Sequence, residues 1–111
     1  MEFEENRIDD ALIIKVIESR ITADIAADFK ASIIGYVDRG NRMIVLDLSD
    51  VAFIDSSGLG ALIGCLKAIG DKGELVLFGA REAVVNMFKL TRMNKVFRMF
   101  DTEEEAISAL S

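Results

Sequence analysis

The sequence predicts an α/β fold, a mostly parallel sheet of about five strands opened by a β-hairpin and carrying about four helices. Two short, almost uninterrupted apolar runs, residues 43–48 (MIVLDL) and 74–78 (ELVLF), read as strands buried on both faces, as is usual in parallel sheets. Around them, apolar residues recur at helical spacing. Ahead of them, residues 1–17 hold two β-rich runs on either side of a polar corner, Asp9-Asp10.

Taken in order, Phe3, Glu5 and Arg7 lead into that corner, and residues 11–17 (ALIIKVI) leave it as a strand rich in β-branched side chains. Asp-Asp is a weaker hairpin signal than Asp-Gly, but the flanking runs ask for a turn. Residues 18–22 read as the exit loop. Thr22 is placed to cap a helix, with Asp24 in the first turn where a negative charge suits the macrodipole. Ile25, Phe29, Ile33 and Val37, with Ala26 and Ile34 alongside, form the apolar stripe of that helix, which ends near Gly40. After strand 43–48, a second helix buries Leu59, Leu62, Ile63, Leu66 and Ile69 and stops at Gly70-Asp71-Lys72-Gly73. Gly79 turns the chain after strand 74–78. A helix over 80–90 follows, with Val84, Met87 and Phe88 inward. Residues 96–100 (VFRMF) make the last strand. Thr102 to Glu105 fits a capping box, and Ala106, Ile107 and Leu110 dock the closing helix. The order is β-β-α-β-α-β-α-β-α.

At 111 residues, 51% of them hydrophobic, the chain is expected to form one domain, 1–111, with a core that needs no staples. Its net charge of −6, from 19 acids against 13 bases, argues against direct contact with nucleic acid. One cysteine cannot form an internal disulfide, which fits a reducing compartment. No charged-then-apolar leader and no apolar run of about 18 residues is present, so a cytoplasmic protein without membrane insertion is expected.

The absence of histidine removes the general base of a Ser-His-Asp hydrolase. Gly35 and Gly40 have P-loop-like spacing, but Asn41-Arg42 stand where Lys-Ser/Thr is needed. Asp47 near a strand end lacks the acidic pair and lysine of a receiver domain. No Cys/His cluster suggests a metal site. These exclusions predict a protein without enzymatic activity, and without catalytic, cofactor-binding or metal-ligating residues of its own.

The chemistry-bearing stretch is Asp55-Ser56-Ser57-Gly58-Leu59-Gly60, where an apolar segment ends in an acid and an amphipathic run begins. A serine just before such a run reads as an N-cap. Gly58, Gly60 and Gly64 each cost a helix about 1 kcal/mol against alanine, so something is expected to approach this backbone closely. The residues themselves admit two readings of Ser56-Ser57. They are a simple cap, or they accept a phosphoryl group, whose charge suits a helix N-terminus. Elsewhere, Cys65 reads as a quiet small hydrophobe, with the flank of an interface as the alternative, and Lys89, Arg92, Lys95 and Arg98 as a solvated face, with contact to an acidic partner as the alternative. Met87, Met93 and Met99 read as core filling.

The run from Phe53 to Gly60 resembles the signature of STAS-domain anti-sigma factor antagonists, small bacterial proteins switched by serine phosphorylation. The resemblance extends over nearly the whole chain and implies a STAS-type fold. It implies that Ser56, the first hydroxyl after the acid, is the phosphoacceptor. It further implies a partner interface drawn from Thr22, Asp55, Ser56, Ser57, Gly58 and Gly60. The unphosphorylated form would bind an anti-sigma factor that is also a serine kinase and so free a sigma factor. The kinase would then modify Ser56, and a serine phosphatase would reset it. ATP and Mg²⁺ would belong to the kinase, leaving this chain without a cofactor. Two other roles compete. One is a STAS scaffold subunit of a lipid-transport or stress-signalling complex. The other, of a different class, is a small phosphatase or nucleotide-binding enzyme. The chain departs from the family in two places. Ser19-Arg20-Ile21-Thr22 stands where many members carry Gly-x-Leu-Asp, so Thr22 can cap a helix but brings no carboxylate. Arg92 stands near a usual glycine.

Overall fold

The computed structural model describes residues 2–110. In chain order its elements are β1 (Phe3–Ile8), β2 (Ala11–Val16), β3 (Arg20–Ile21), α1 (Ala23–Asp38), β4 (Met43–Asp47), β5 (Phe53–Ile54), α2 (Ser56–Ile69), β6 (Glu74–Phe78), α3 (Glu82–Leu90), β7 (Arg98–Phe100) and α4 (Glu103–Leu110). Short 3₁₀ turns follow α2 and α3. The main sheet has the order β1-β2-β4-β6-β7, with an antiparallel β1–β2 hairpin and parallel pairing everywhere else. The hairpin, the mostly parallel five-stranded sheet and the four helices are those the sequence predicts. At the hairpin corner Asp9 takes φ 54°, a conformation that aspartate tolerates better than most residues.

Alternation along the strands divides the core between the two faces of the sheet. Leu12, Ile14, Ile44, Leu46, Leu75 and Leu77 point to the larger core, which is covered by α1, α2 and α3. Ala11, Ile13, Val45, Val76 and Phe78 point to the other face, where Ala106 of α4 is buried. Burial on both faces explains why the strand runs read as nearly continuous apolar sequence. No helix among the described residues is long and apolar enough to cross a membrane.

The structure corrects several details. The exit loop at 18–22 contains β3, which pairs in parallel with β5 as a separate two-stranded sheet. The last strand begins at Arg98 instead of Val96, because the 3₁₀ turn Met93–Lys95 runs into it; Phe97, just before the strand, is buried and packs edge-on against Phe88 at 5.6 Å. The third helix begins at Glu82, not Ala80. On α1, Ile25 and Ile34 are only half-buried, while Tyr36 joins Phe29, Ile33 and Val37 in the core. A tyrosine is accommodated there because its hydroxyl donates to Glu5 Oε2 at 2.7 Å and its ring stands edge-on to Phe3. On α2, Ile63 and Leu66 are half-buried, and Ala61 and Cys65 take their place in the core. That helix packs against both α1 and the sheet, so its buried arc is wider than one stripe.

Arg92 adopts φ 61° and ψ 16°, the left-handed conformation usual for glycine at a helix end. The loop thus keeps this shape although its side chain carries a β-carbon. Removing the steric conflict, worth about 1–2 kcal/mol, outweighs the extra entropy of an unfolded glycine. Arg92→Gly is expected to raise unfolding stability by roughly 0.5–1 kcal/mol in urea titrations. A loss of stability would mean that the exposed Arg92 side chain stabilises the loop.

Candidate functional site

The small β3–β5 sheet builds the site. Its register pairs Arg20 with Phe53 and Ile21 with Ile54, and the two isoleucines are buried. Each strand is followed by a single capping residue and then a helix, Thr22 before α1 and Asp55 before α2. Parallel, in-register strands therefore set two helix N-termini side by side. The segments are laced together further. Ala52 and Phe53 donate their backbone N–H groups to Ser19 O at 2.7 and 3.3 Å, and Asp55 N–H donates to Ile21 O at 3.3 Å.

Asp55, half-buried between the helices, caps both. Its Oδ1 accepts from Gly58 N–H of α2 at 2.8 Å, and its Oδ2 accepts from Ala23 N–H of α1 at 3.0 Å. The sequence reading of a serine cap is thereby corrected: Asp55 has the extended backbone of a cap (φ −91°, ψ −176°), and Ser56 is already the first helical residue. Thr22 occupies the cap position of α1, but its side chain bonds no backbone N–H. Its hydroxyl donates instead to the Asp24 carboxylate. That bond, with backbone N–H groups at the helix start and the charge of Arg20, holds the Asp24 carboxyl below its usual range.

Ser56 and Ser57 are exposed at the first two positions of α2, and among the described residues neither hydroxyl makes a hydrogen bond. A group added to Ser56 Oγ would lie at the N-terminal end of α2, next to Asp55, which also bonds the start of α1. The helix dipole there favours negative charge.

The three glycines of α2 have three different roles. Gly58 is buried, and a β-carbon on it would lie 2.2 Å from Ile21 O and 2.9 Å from Ile54 Cγ2. It lets α2 sit directly on β3, so its expected place in the partner interface is corrected to an internal contact. Gly60 is exposed and has open space where a side chain would be. Over Gly64 passes the stem of Lys30, whose Cε lies 2.7 Å from the missing β-carbon. Of the sequence-derived site residues, Thr22, Asp55, Ser56, Ser57 and Gly60 thus gather at one end of the α1–α2 pair, with Gly58 beneath them.

Two exposed residues at this end were missed. The Arg20 guanidinium lies over the Phe53 ring, 5.0 Å from its centroid, and Phe53 is 44% exposed. The available signal was an outward–inward pair of residues just before each helix cap, Arg20-Ile21 and Phe53-Ile54. Two residues are too few for alternation to register as a strand. Cys65 is fully buried, and burial pushes its thiol up to about 12. Lys89, Arg92, Lys95 and Arg98 are exposed, with Arg98 paired to Glu74 at 3.0 Å.

Fold and site together define a small parallel α/β module that presents an unbonded serine where two helices begin. Residues 2–106 match the STAS domain model, and the chain belongs to the STAS domain family. The anti-sigma-B factor antagonist of Listeria monocytogenes is 28% identical over 90 residues, which are 80% of this chain and 79% of that protein. The crystal structure of a Thermotoga maritima protein classed as an anti-sigma factor antagonist superposes with a TM-score of 0.87 at 29% identity, covering 97% of this chain and 93% of that one. SpoIIAA of Bacillus, solved in its phosphorylated form, shares the fold with a TM-score of 0.71 at 20% identity, over 99% and 100% of the two chains.

Gly58→Ala is expected to destabilise the protein by roughly 1–3 kcal/mol, since backbone oxygen cannot yield to a new β-carbon. Gly60→Ala should be neutral or stabilising by up to about 1 kcal/mol. Urea titrations of the two variants check this contrast, and equal effects would contradict the assignment. For Cys65, a thiol reagent at pH 8 should label the protein only after denaturation. An unfolded thiol ionises near 9.0 and the folded one near 12, so Cys65 favours the folded state fully below pH 9. That contribution is lost as pH rises toward 12, so the alkaline fall in melting temperature should be smaller in Cys65→Ala, where the raised Tyr36 hydroxyl still contributes to it above pH 10.

Proposed function

We propose that this protein is an anti-sigma factor antagonist switched by phosphorylation of Ser56. The observation that carries the reading is the exposed, unbonded Ser56 hydroxyl at the start of α2, beside the start of α1. The name of the Listeria relative and the phosphorylated form of SpoIIAA agree with it. In this reading the unphosphorylated surface around Thr22, Asp55, Ser56, Ser57 and Gly60 binds an anti-sigma factor with serine kinase activity, and a sigma factor is released. The kinase supplies ATP and Mg²⁺ and transfers one phosphoryl group to Ser56. A serine phosphatase then removes it.

The physical basis is a separation of two effects. Phosphate adds about −1.5 to −2 charges at a position where a helix N-terminus favours an anion by roughly 0.3–1 kcal/mol. The fold therefore tolerates it. The same charge, buried in an interface or set against partner carboxylates, meets desolvation and repulsion that together amount to several kcal/mol. Each 1.4 kcal/mol or so is tenfold in affinity.

Retention of partners on the immobilised domain, followed by phosphosite mapping, identifies the kinase and tests the reading. The recovered kinase with Mg-ATP should add one phosphate, at Ser56, and Ser56→Ala should remove labelling while keeping binding. Phosphorylation should leave the melting temperature within a few degrees and weaken binding at least tenfold. Gly60→Leu should fold normally and bind more weakly, because bulk there obstructs close approach. Labelling at Ser57, or a phosphoprotein that melts far lower, would overturn the switch described.

A further inference from the structure

The β3–β5 sheet carries more than the two helix caps. Its outward-facing residues, Arg20 and Phe53, are register partners, and they stand immediately ahead of Thr22 and Asp55. Phe53 is 44% exposed, and among the described residues only two other large apolar side chains, Leu90 and Val96, are so exposed. Those two lie at and beyond the far end of α3, whereas Phe53 lies three residues from Ser56. The Arg20 guanidinium carbon lies over the ring, 5.0 Å from its centroid. This cation–π contact restrains the guanidinium beside the ring. No hydrogen bond or ion pair among the described residues uses the guanidinium N–H donors. The nearby Asp24 carboxylate feels the charge of Arg20 without bonding to it, being engaged by the Thr22 hydroxyl. Asp55 is likewise occupied, by Gly58 and Ala23.

An arginine restrained beside a ring, with its donors free, can take a carboxylate through two parallel hydrogen bonds. An exposed aromatic ring beside it supplies apolar area at small entropic cost, and arginine and aromatic residues dominate interface hot spots. We propose that the Arg20–Phe53 pair is an anchor of the partner interface. It receives a protein surface that offers an apolar recess for the ring and a carboxylate at the rim for the guanidinium. The inference rests on the anti-sigma factor antagonist reading and adds to it the chemistry of the partner's surface. Docking at Phe53 also brings that surface over Ser56, so one bound orientation serves both recognition and phosphoryl transfer to the Ser56 hydroxyl. Because the ring holds the guanidinium in place, the two residues act as a unit. Loss of either removes most of what the pair contributes.

The test is calorimetric titration of the purified kinase recovered above with wild type, Phe53→Ala, Arg20→Ala, Arg20→Lys and the Phe53→Ala/Arg20→Ala double variant. Thermal melts accompany each, to establish that the variants fold. Each of the three single variants should bind at least fivefold more weakly than wild type, lysine failing because it can neither stack as a plane nor offer a fork. The double variant should bind about as weakly as the worse single one. Folded Phe53→Ala or Arg20→Ala binding within fivefold of wild type overturns the anchor. Arg20→Lys binding like wild type reduces the pair to an unspecific positive charge and overturns it as well. Failure of wild type itself to bind overturns the antagonist reading, and this inference with it, and is distinguished by wild type alone. If Phe53→Ala fails to fold, Phe53→Leu, which keeps apolar bulk without the aromatic face, takes its place under the same fivefold limit.

Discussion

Asp55 joins two helices that are far apart in sequence. One carboxylate oxygen accepts from Gly58 of α2 and the other from Ala23 of α1, so a single side chain satisfies a terminal donor on each. An N-cap is ordinarily worth about 0.5–2 kcal/mol to the one helix it serves. Here it also sets the relative position of the helices, which pack closely along their length. The negative charge sits where two positive helix ends meet, and that is where electrostatics favours it. Much of the site depends on this carboxylate. It ties the two helix starts to each other, it leaves Ser56 as the first residue of α2 rather than its cap, and it frees the serine hydroxyl from any structural task.

The contact is possible only because the two chain segments already run side by side. Parallel pairing of β3 with β5 gives the register, the buried Ile21 and Ile54 hold it against the core, and Gly58 lets α2 approach Ile21 O directly. Each of these is a constraint on the interior, and each has a counterpart at the surface. The residues that alternate with the isoleucines, Arg20 and Phe53, are turned outward by the same strand geometry. A rigid base and an exposed rim therefore arise from two dipeptides. Such a base fits the proposed switch, in which a charge is added without a rearrangement of the chain.

The large sheet has a plainer part in this. Its strands are buried on both faces, α1, α2 and α3 lie on one side and α4 on the other, and the helices on the first side are held in place by a continuous core. That core includes Cys65, whose thiol burial keeps neutral far above ordinary pH. The end of the layer where α1 and α2 begin is the end that carries Thr22, Asp55 and Ser56.

What the sequence determined by itself was the fold class, the main elements and the stretch that carries the candidate site. Strands buried on both faces and helices with one apolar stripe leave long periodic signals, and the run from Asp55 to Gly60 is compact enough to read directly. It also placed Ser56 at a helix start. Only the tertiary structure decided the rest. Whether Asp55 or a serine caps α2 depends on one backbone conformation, and the second bond of Asp55 reaches Ala23, which is 32 residues away in the chain. The contrast between Gly58 and Gly60 is invisible in composition, because both are helical glycines and only the neighbouring strand distinguishes them. Tyr36 entered the core in place of Ile25 and Ile34 because a partner for its hydroxyl, Glu5, lies on β1. Strands β3 and β5 were too short to leave a periodic signal, so Arg20 and Phe53 became neighbours only when the chain folded. Local patterns encode how a segment turns its faces, and long-range pairing settles which of those faces meet.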